Sequence, residues 1–214
     1  MKVMILDTET TNNMDDPIVY DIGFVITDEN GKIYEKRSYV IADTFLDKEL
    51  MENAYFKDKI PMYWEDIENG KRELKRFSNV NFIIRNIMKK YNIKIVCAHN
   101  ARFDYISTNI TKRYITSSKF RYFFPYGTEI WDTLKMSKEI FSDDISYRNF
   151  CLDNGYITKN RQNRYTAEII YRFISNDNSF EESHTGLEDV LIEKDIFVYC
   201  LQKKPDIDGA LWSK

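Results

Sequence analysis

Two carboxylates stand two positions apart at the end of the first apolar segment of the chain. Residues 1–6 are apolar except for Lys2, and Asp7, Thr8 and Glu9 follow directly. Side chains at positions i and i+2 of a strand project to the same side, so Asp7 and Glu9 would point into one space. Neighbouring carboxylates repel each other and are costly to desolvate, so they require solvent, a cationic side chain or a divalent cation. In a chain with 34 acidic residues, a solvated surface pair is the simpler explanation of this motif alone.

Two further aspartates are predicted to lie in the first turns of helices. Asp104 ends the sequence His-Asn-Ala-Arg-Phe-Asp at 99–104, which follows an apolar segment, and Asp189 lies near the start of the last predicted helix. Each is explained without a ligand, because the helix macrodipole stabilises an acidic side chain in the first turn. If the fold brought them together with Asp7 and Glu9, the four carboxylates would repel one another, and divalent cations could neutralise them.

His184 differs from the acidic residues because it can exchange a proton near neutral pH. It precedes Asp189 by five residues and stands directly before a capping-box sequence, in which Thr185 would bond the Glu188 amide and Glu188 would bond back. A histidine outside the helix would fold over the helix start and face the same space as Asp189. A surface-loop histidine is the simpler alternative. An imidazole with a pKa of about 6.5 is largely neutral at pH 7–8 and could act as a general base.

The composition is that of an ordinary globular protein and leaves metal-assisted chemistry open. The 214 residues suit one domain, and 43% of them are hydrophobic and 30% charged. A net charge of −3 disfavours a protein that binds nucleic acid by neutralising phosphates with its own cations, whereas bound metal ions could supply that charge. Two histidines are too few for a histidine-rich metal site, and three separated cysteines indicate reduced thiols.

We expect a cytoplasmic protein that does not span a membrane. The first predicted strand begins at the N-terminus, which leaves no room for a signal peptide. No window of the sequence contains the ~18 apolar residues that a membrane-spanning helix needs.

Hydrophobic patterning predicts a mixed sheet flanked by helices. Strands at 1–6, 18–27 and 32–41 are joined by short connections, with Asn30-Gly31 as a hairpin turn, and should form an antiparallel meander. An amphipathic helix in the latter part of 74–91, followed by an apolar strand at 93–98, indicates a crossover and a parallel pairing. The other predicted elements are a strand at 128–131 and helices at 47–55, 62–68, 101–113, 133–141, 146–154, 166–174 and 184–202. Asn100 and Asp132 are the predicted N-caps of the helices at 101–113 and 133–141. Pro61 separates the first two helices. We expect a single domain over residues 1–204 and a short tail over 205–214.

The order of the three acidic motifs resembles that of one nuclease family. Asp-Thr-Glu-Thr-Thr at 7–11, the 99–104 motif and His-Thr-Gly-Leu-Glu-Asp at 184–189 together resemble the DEDDh exonucleases, DnaQ-like 3'→5' exonucleases of the ribonuclease H-like superfamily. Residues 182–201 are also similar to the C-terminal part of small phage and bacterial members. The resemblance implies a ribonuclease H-like α/β fold, in which a mixed sheet combines the three-strand meander with parallel strands and is flanked by helices.

The resemblance also implies a two-metal site. Asp7 and Glu9 match the first acidic motif of the family, Asp104 the second and Asp189 the third. By this likeness Asp7 would bridge two Mg²⁺ or Mn²⁺ ions. Glu9 and Asp189 would hold the ion bearing the attacking water, and Asp104 would help to place the second ion. His184 matches the general base.

Two positions depart from the family pattern, and a third position excludes the sister branch of the family. Thr185 stands where the sister branch has a tyrosine. Asn12 replaces a glycine that often follows the first motif, and asparagine tolerates left-handed backbone better than most residues. Gly186 replaces the small residue, usually alanine, that follows the histidine by two.

The likeness further implies contacts to a terminal nucleotide. The backbone at Thr8 and Thr10 would approach that nucleotide, and Asn100 and Phe103 are candidates for a wall beside it. A buried helix position explains Phe103 equally well. Lys159, Arg161 and Arg164 lie in a loop that could hold the substrate backbone, although a solvated basic loop is the simpler interpretation.

The expected function is therefore metal-dependent 3'→5' hydrolysis of single-stranded DNA or RNA ends, with release of nucleoside 5'-monophosphates. Its expected partners are single-stranded 3' ends, and the resemblance also allows a polymerase partner. Three alternatives stay open: a short-RNA exonuclease similar to oligoribonuclease, a non-catalytic nucleic-acid or polymerase-binding module of the same fold, and a structural divalent-ion site.

Overall fold

The computed structural model describes residues 1–12, 15–117 and 119–212, and the elements below belong to these residues. The strands are β1 Lys2–Thr11, β2 Ile18–Asp28, β3 Ile33–Ile41, β4 Glu73–Lys75, β5 Ile95–Ala98 and β6 Glu129–Asp132. The helices are α1 Ala42–Phe45, α2 Lys48–Glu52, α3 Ile60–Glu68, α4 Phe77–Tyr91, α5 Arg102–Ile115, α6 Thr133–Phe141, α7 Ile145–Asp153, α8 Ala167–Ser175 and α9 Gly186–Lys203, with a 3-10 turn at Lys57–Lys59.

The strands form one mixed sheet in the order β4-β3-β2-β1-β5-β6. β1, β2 and β3 pair antiparallel as a meander, whereas β5 is parallel to β1 and β6 is parallel to β5. This arrangement confirms the predicted α/β fold with its meander, crossover and parallel strands. The short strand β4, parallel to β3, was not predicted.

β1 is the central strand and is buried on both faces, as its apolar run predicts. Met4 and Leu6 pack into one core cluster with α4, while Val3 and Ile5 pack into the other with α9. The strand continues through the acidic motif, so Asp7 and Glu9 are strand residues rather than residues that follow one. Its pairing with β2 shifts register between Glu9 and Thr10, where the acidic face ends.

Two local predictions were wrong because of backbone geometry. Asn100 has a φ of 64°, so it does not cap α5, which begins at Arg102. Its backbone N–H instead donates to Asp132 Oδ1 at 2.9 Å. Pro61 lies in the first turn of α3 rather than before it, where the missing N–H costs no helical hydrogen bond.

Two other local predictions were correct. The Asp132 carboxylate caps α6 by accepting from the Leu134 N–H. Asn12 has a φ of 65°, the left-handed conformation that asparagine tolerates.

The chain after α9 packs along the free edge of β6. The Asp132 N–H donates to the Gly209 carbonyl at 2.8 Å, and the Leu211 N–H donates to the Ile130 carbonyl at 2.7 Å. Ile207 is buried in the same core cluster as Val3 and Ile5. Residues 205–212 thus protect the edge of the sheet, and residues 213 and 214 of the predicted tail lie outside the described residues.

Among the helices of the described residues, none has the length and apolar character needed to cross a bilayer.

Candidate metal centre

Three of the predicted carboxylates meet at one place. Asp7 and Glu9 project from the same side of β1, and Asp189 projects from the first turn of α9. One carboxylate oxygen from each of the three lies within 4.8 Å of those from the other two. Glu9 and Asp189 are both buried. The central strand and the last helix therefore concentrate negative charge in a space that water enters poorly.

Asp104 joins this group through a threonine between the two strand acids. Thr8 Oγ1 donates a hydrogen bond to Asp104 Oδ1 at 2.8 Å, and both residues are buried. The charge of Asp104 contributes to the raised pKa of Asp7 and of Glu9, so it acts on the same space.

The pKa values of all four carboxyl groups are raised, first by burial and then, for the strand acids, by mutual repulsion. The pKa of Asp7 lies well above its ordinary value, with Glu193 the strongest charged neighbour. That of Glu9 is raised to about 9, that of Asp104 to about 7 and that of Asp189 to about 6. Burial outweighs the hydrogen bonds that Asp104 accepts from Thr8 and that Asp189 accepts from Ser183 and Thr185.

These residues fit divalent cations. Asp7 Oδ2 is buried and has no hydrogen-bond partner among the described residues, which is costly unless a ligand occupies its free side. Several hard oxygen donors in one cavity are the ligand set that Mg²⁺ and Mn²⁺ prefer. Cations there would favour the ionised carboxylates that burial disfavours.

The unfolding temperature of the metal-free protein is expected to fall as the pH rises from 5 to 9. The folded pKa values of the four carboxyl groups lie above the unfolded values, so their contribution to stability is complete below about pH 4 and is lost as the pH rises through the folded values. We expect a fall of about 5–10 °C in EDTA, measured by differential scanning calorimetry. Saturating Mg²⁺ should flatten the slope because it favours the ionised forms. A pH-independent unfolding temperature in EDTA would contradict the carboxylate geometry.

The loop before α9 holds Asp189 through its own backbone and side chains. The Thr185 N–H donates to Asp189 Oδ2 at 2.9 Å, and Ser183 Oγ donates to Asp189 Oδ1 at 3.1 Å. The predicted capping box was wrong: Thr185 Oγ1 donates to the Glu188 carboxylate at 2.6 Å instead of capping the helix. Asp189, not Glu188, bonds back to the N-cap amide.

A buried arginine explains why Glu188 does not close the capping box. Arg72 Nη2 binds Glu188 Oε2 at 2.7 Å, while its Nε binds Asp66 Oδ2 at 2.9 Å and its Nη1 lies 3.4 Å from Asp21 Oδ2. Asp21 also accepts from the Gly186 N–H at 3.0 Å. Arg72 therefore fixes the start of α9 against β2.

The close contact between the start of α9 and β2 explains the glycine at position 186. A Cβ on Gly186 would lie 2.7 Å from the Gly23 nitrogen, and a Cβ on Gly23 would lie 2.1 Å from the Gly186 carbonyl carbon. The backbones of β2 and α9 touch here, so the alanine that is usual in the resembling family does not fit. This departure from the family pattern is a packing requirement of this chain.

Replacing Arg72 by methionine is expected to destabilise the protein by about 3–5 kcal/mol, because it leaves the buried Asp21 without its cation. Urea unfolding of the metal-free protein measures this. The matched control is Lys71→Met, since Lys71 contacts Asp66 at 3.3 Å but its side chain is 59% exposed. Its loss should cost less than about 1 kcal/mol. Equal effects of the two changes would contradict the anchoring role of Arg72.

His184 precedes α9, as predicted, and has a φ of 49°. Its ring stacks on Phe56 with centroids 4.3 Å apart and planes inclined by 11°. Its Nδ1 lies 3.9 Å from Glu182 Oε2. His184, Glu182 and Glu168 each place a nitrogen or oxygen atom within 4.8 Å of those of the other two. Burial and then the charge of Lys59 lower the pKa of His184, so the neutral imidazole prevails at neutral pH.

Lys59 holds the loop that precedes α9. Its ammonium group donates to the Ser183 carbonyl. Its charge lowers the pKa of Glu9 and of Asp189 against the larger effect of burial. The 3-10 turn that contains Lys59 thus supplies a cation beside the carboxylates, and Phe56 immediately before it supplies the ring under His184.

A cleft of about 1110 Å³ opens beside Asp7 and is lined by both acidic and basic side chains. Its acidic residues are Asp7, Glu182 and Glu193, and Asn100 also lines it. Its basic residues are Lys138, Arg148 and Arg164. Arg164 comes from the basic loop found in the sequence, and Arg148 lies on α7 and holds that loop by donating to the Arg161 carbonyl at 2.8 Å.

Of the other predicted contacts, Asn100 lines this cleft, whereas Thr8, Thr10 and Phe103 are not among its lining residues in the described part of the chain. Thr8 is buried and bonds Asp104 through its side chain, so its backbone is what a ligand could meet. Thr10 and Phe103 are half-buried, and Asn100 is exposed.

Sequence reasoning missed several residues of the site. Glu193 had a usable signal, because a residue four positions after Asp189 lies on the same face of a helix. Glu182 stands two before His184 and could have been considered with it. Phe56 and Lys59 gave no signal, since they come from a segment without a motif and reach the site only through the fold.

The sequence matches no protein-family model and no curated protein. Its structure is similar to those of solved nucleases. Exonuclease X, solved with 5' overhanging duplex DNA, aligns over 97% of this chain and 95% of its own at 15% identity and a TM-score of 0.54. Exonuclease I from Methylocaldum szegediense aligns over 96% of this chain and 41% of its own at 13% identity and a TM-score of 0.61. Cell-death related nuclease 4 aligns over 95% of this chain and 64% of its own at 13% identity and a TM-score of 0.58.

These comparisons concern the fold. The chain spans about two fifths of the exonuclease I chain and nearly all of exonuclease X. At identities of 13–15% they show a shared architecture, which confirms the ribonuclease H-like fold implied by the three motifs.

Proposed function

We propose that this chain is a metal-dependent 3'→5' exonuclease of the DEDDh type, which removes nucleoside 5'-monophosphates from single-stranded nucleic-acid ends. The observation that carries the proposal is the meeting of Asp7, Glu9 and Asp189, with Asp104 tied to them through Thr8. The fold shared with exonucleases supports it. The proposed catalytic domain covers residues 1–204, and the free, buried cysteines suit a reducing cytoplasmic location.

Asp7, Glu9, Asp104 and Asp189 would hold two Mg²⁺ or Mn²⁺ ions. When bound, such ions neutralise the carboxylates, draw in a phosphodiester and lower the pKa of bound water. The chain contributes a rigid arrangement: β1 fixes two of the acids, Thr8 orients Asp104, and the amide of Thr185 orients Asp189. Because the carboxylates are held in place before metal and substrate bind, they need not be rearranged during the reaction.

His184 would accept the proton of the attacking water. Its lowered pKa leaves the imidazole free to accept a proton at neutral pH. The stacked Phe56 ring restricts rotation of the imidazole, and the nearby Glu182 carboxyl group can stabilise the imidazolium once it forms. A proton accepted at this position lies at the edge of the protein, where the 39% exposed side chain can release it to solvent.

The cleft suits a single strand that ends at the carboxylates. Lys138, Arg148 and Arg164 offer positive charge to phosphates along the wall. The backbone at Thr8 and Thr10 and the residues Asn100 and Phe103 would surround the terminal nucleotide. The basic side chains would attract the phosphates of the strand, and cations held by the carboxylates would attract its terminal phosphate.

DNA and RNA remain alternative substrates of this proposal, with a short-RNA exonuclease as the second candidate. A non-catalytic binding module with a polymerase partner is a third candidate, but retention of all four carboxylates and His184 favours an enzyme over that module or a structural ion site.

Polarity is tested with one single-stranded oligonucleotide labelled either at its 5' end or at its 3' end. With Mg²⁺ or Mn²⁺, the 5'-labelled strand should give a descending ladder, and the 3'-labelled strand should release labelled mononucleotide at once. The reverse pattern would overturn the proposed polarity, and fragments from internal cleavage would overturn exonuclease action. Parallel duplex DNA and RNA substrates determine the preferred polymer.

A further inference from the structure

We propose that Glu193 is a fifth carboxylate of the metal centre and that it binds a divalent cation together with Asp7. The inference rests on the proposed function, because it concerns the ions of the same site. It also makes this site different from the set of four acids that the three sequence motifs imply.

Position in the helix brings Glu193 to the site. It lies one turn after Asp189 on α9, so its side chain extends from the same helix face. Glu193 and Asp7 line the same cleft. Helix α9 therefore brings a second carboxylate, besides that of Asp189, toward the strand acids.

Two buried carboxylate oxygens of the residues that line this cleft lack hydrogen-bond partners within the described residues. Glu193 is 3% exposed, and in the described part of the chain neither its Oε2 nor the buried Asp7 Oδ2 has a hydrogen-bond partner. A buried carboxylate oxygen is rarely left unpartnered, because the loss of hydration is not compensated. A cation between the two side chains would satisfy both oxygens and remove their repulsion.

A structural role leaves part of the Glu193 carboxyl group unexplained. The His99 backbone N–H lowers the pKa of Glu193 against the larger effect of burial. Within the described residues, Oε2 has no hydrogen-bond partner. A glutamine at this position would keep an acceptor oxygen and would supply an amide in place of a charge, so a structural role and a metal-binding role can be separated.

The charge balance predicts which property Glu193 controls. Two divalent cations carry four positive charges, which Asp7, Glu9, Asp104 and Asp189 already match. A fifth ionised carboxylate makes the loaded centre negative by one charge and strengthens cation binding before substrate arrives. Glu193 lines the cleft together with Asp7, so it should favour the ion that Asp7 holds on the cleft side.

The test is Mn²⁺ binding by the full chain, measured by isothermal titration calorimetry without substrate. The wild-type chain should bind two ions, and Glu193→Gln should lose one or bind it at least tenfold more weakly. The matched control is Asp195→Asn, which removes one negative charge from the same helix at a side chain that is 45% exposed. Its Mn²⁺ binding should stay within twofold of the wild-type value.

Thermal unfolding provides a second measurement that a structural role would not reproduce. Glu193→Gln should raise the unfolding temperature in EDTA, because a buried charge facing Asp7 is gone, and Mn²⁺ should stabilise this variant less than the wild type. If glutamine prevents folding, Glu193→Asp keeps the charge but withdraws it by one methylene group, and should also weaken Mn²⁺ binding.

Unchanged Mn²⁺ number and affinity in folded Glu193→Gln would overturn the inference, whether its unfolding temperature rises or falls. In that case wild-type binding of two ions would leave the proposed function intact. A wild-type chain that binds no Mn²⁺ would overturn both the inference and the proposed function.

Discussion

Replacing Asp7 by asparagine is expected to lower metal-dependent phosphodiester hydrolysis by at least about 1,000-fold. Asp7 is central to the acidic group, since its carboxylate lies beside Glu9 and Asp189 and it also faces Glu193. Asparagine keeps the size of the side chain but removes one negative charge and one strong cation ligand. Release of 5'-mononucleotide from a single-stranded oligonucleotide under single-turnover conditions measures the loss.

The same variant should fold and be more stable than the wild type in EDTA. Burial and repulsion raise the pKa of Asp7 strongly, so its removal relieves an unfavourable charge in the metal-free protein. Asp47→Asn is the control, because Asp47 caps α2 from an exposed position and asparagine caps equally well. Hydrolysis by Asp7→Asn within tenfold of the wild-type rate would exclude Asp7 as an essential metal ligand.

Replacing His184 by alanine is expected to reduce turnover by about 100- to 10,000-fold while changing KM by less than about tenfold. The histidine is proposed to accept a proton, whereas the carboxylates and the basic cleft hold the substrate. Because burial and Lys59 lower its pKa, the acidic limb of the wild-type kcat profile should lie below the ordinary histidine value near pH 6.5. This limb should disappear in His184→Ala.

Phe56→Leu provides the comparison for His184. Leucine removes the stacked ring but leaves the imidazole in place, so its effect on kcat should be smaller than that of His184→Ala, with the acidic limb retained. Mn²⁺ binding should be unaffected in both variants. Turnover by His184→Ala at the wild-type rate would leave the histidine as a surface residue of the loop.

Local rules predicted where each acid would lie, and the resemblance of the three motifs to the exonuclease family joined the acids into one predicted centre. Period two places Asp7 and Glu9 on one side of β1, and a helix beginning after Thr185 places Asp189 at a terminus. The Asn-Gly turn and the apolar 93–98 segment define the meander and the parallel strand. Local patterns thus predicted which elements would end at the site.

What the sequence did not predict depends on residues far apart in the chain. The capping box looked complete, but Arg72 binds Glu188 across more than one hundred positions and leaves Asp189 to bond the N-cap amide. Phe56 and Lys59 contact the His184 loop from a similar distance. Asn100 has the chemistry of an N-cap but lies in left-handed backbone. In each case a tertiary contact or the local geometry overrides a sequence preference.

The central claim is that these carboxylates hold cations that hydrolysis requires, and metal depletion followed by metal restoration tests it most directly. Protein stripped with EDTA and dialysed should release no mononucleotide from single-stranded DNA or RNA. Added Mg²⁺ or Mn²⁺ should restore release of 5'-monophosphates by the wild type, and the Asp7→Asn variant should stay inactive. Undiminished hydrolysis in EDTA, or full restoration in Asp7→Asn, would contradict the account.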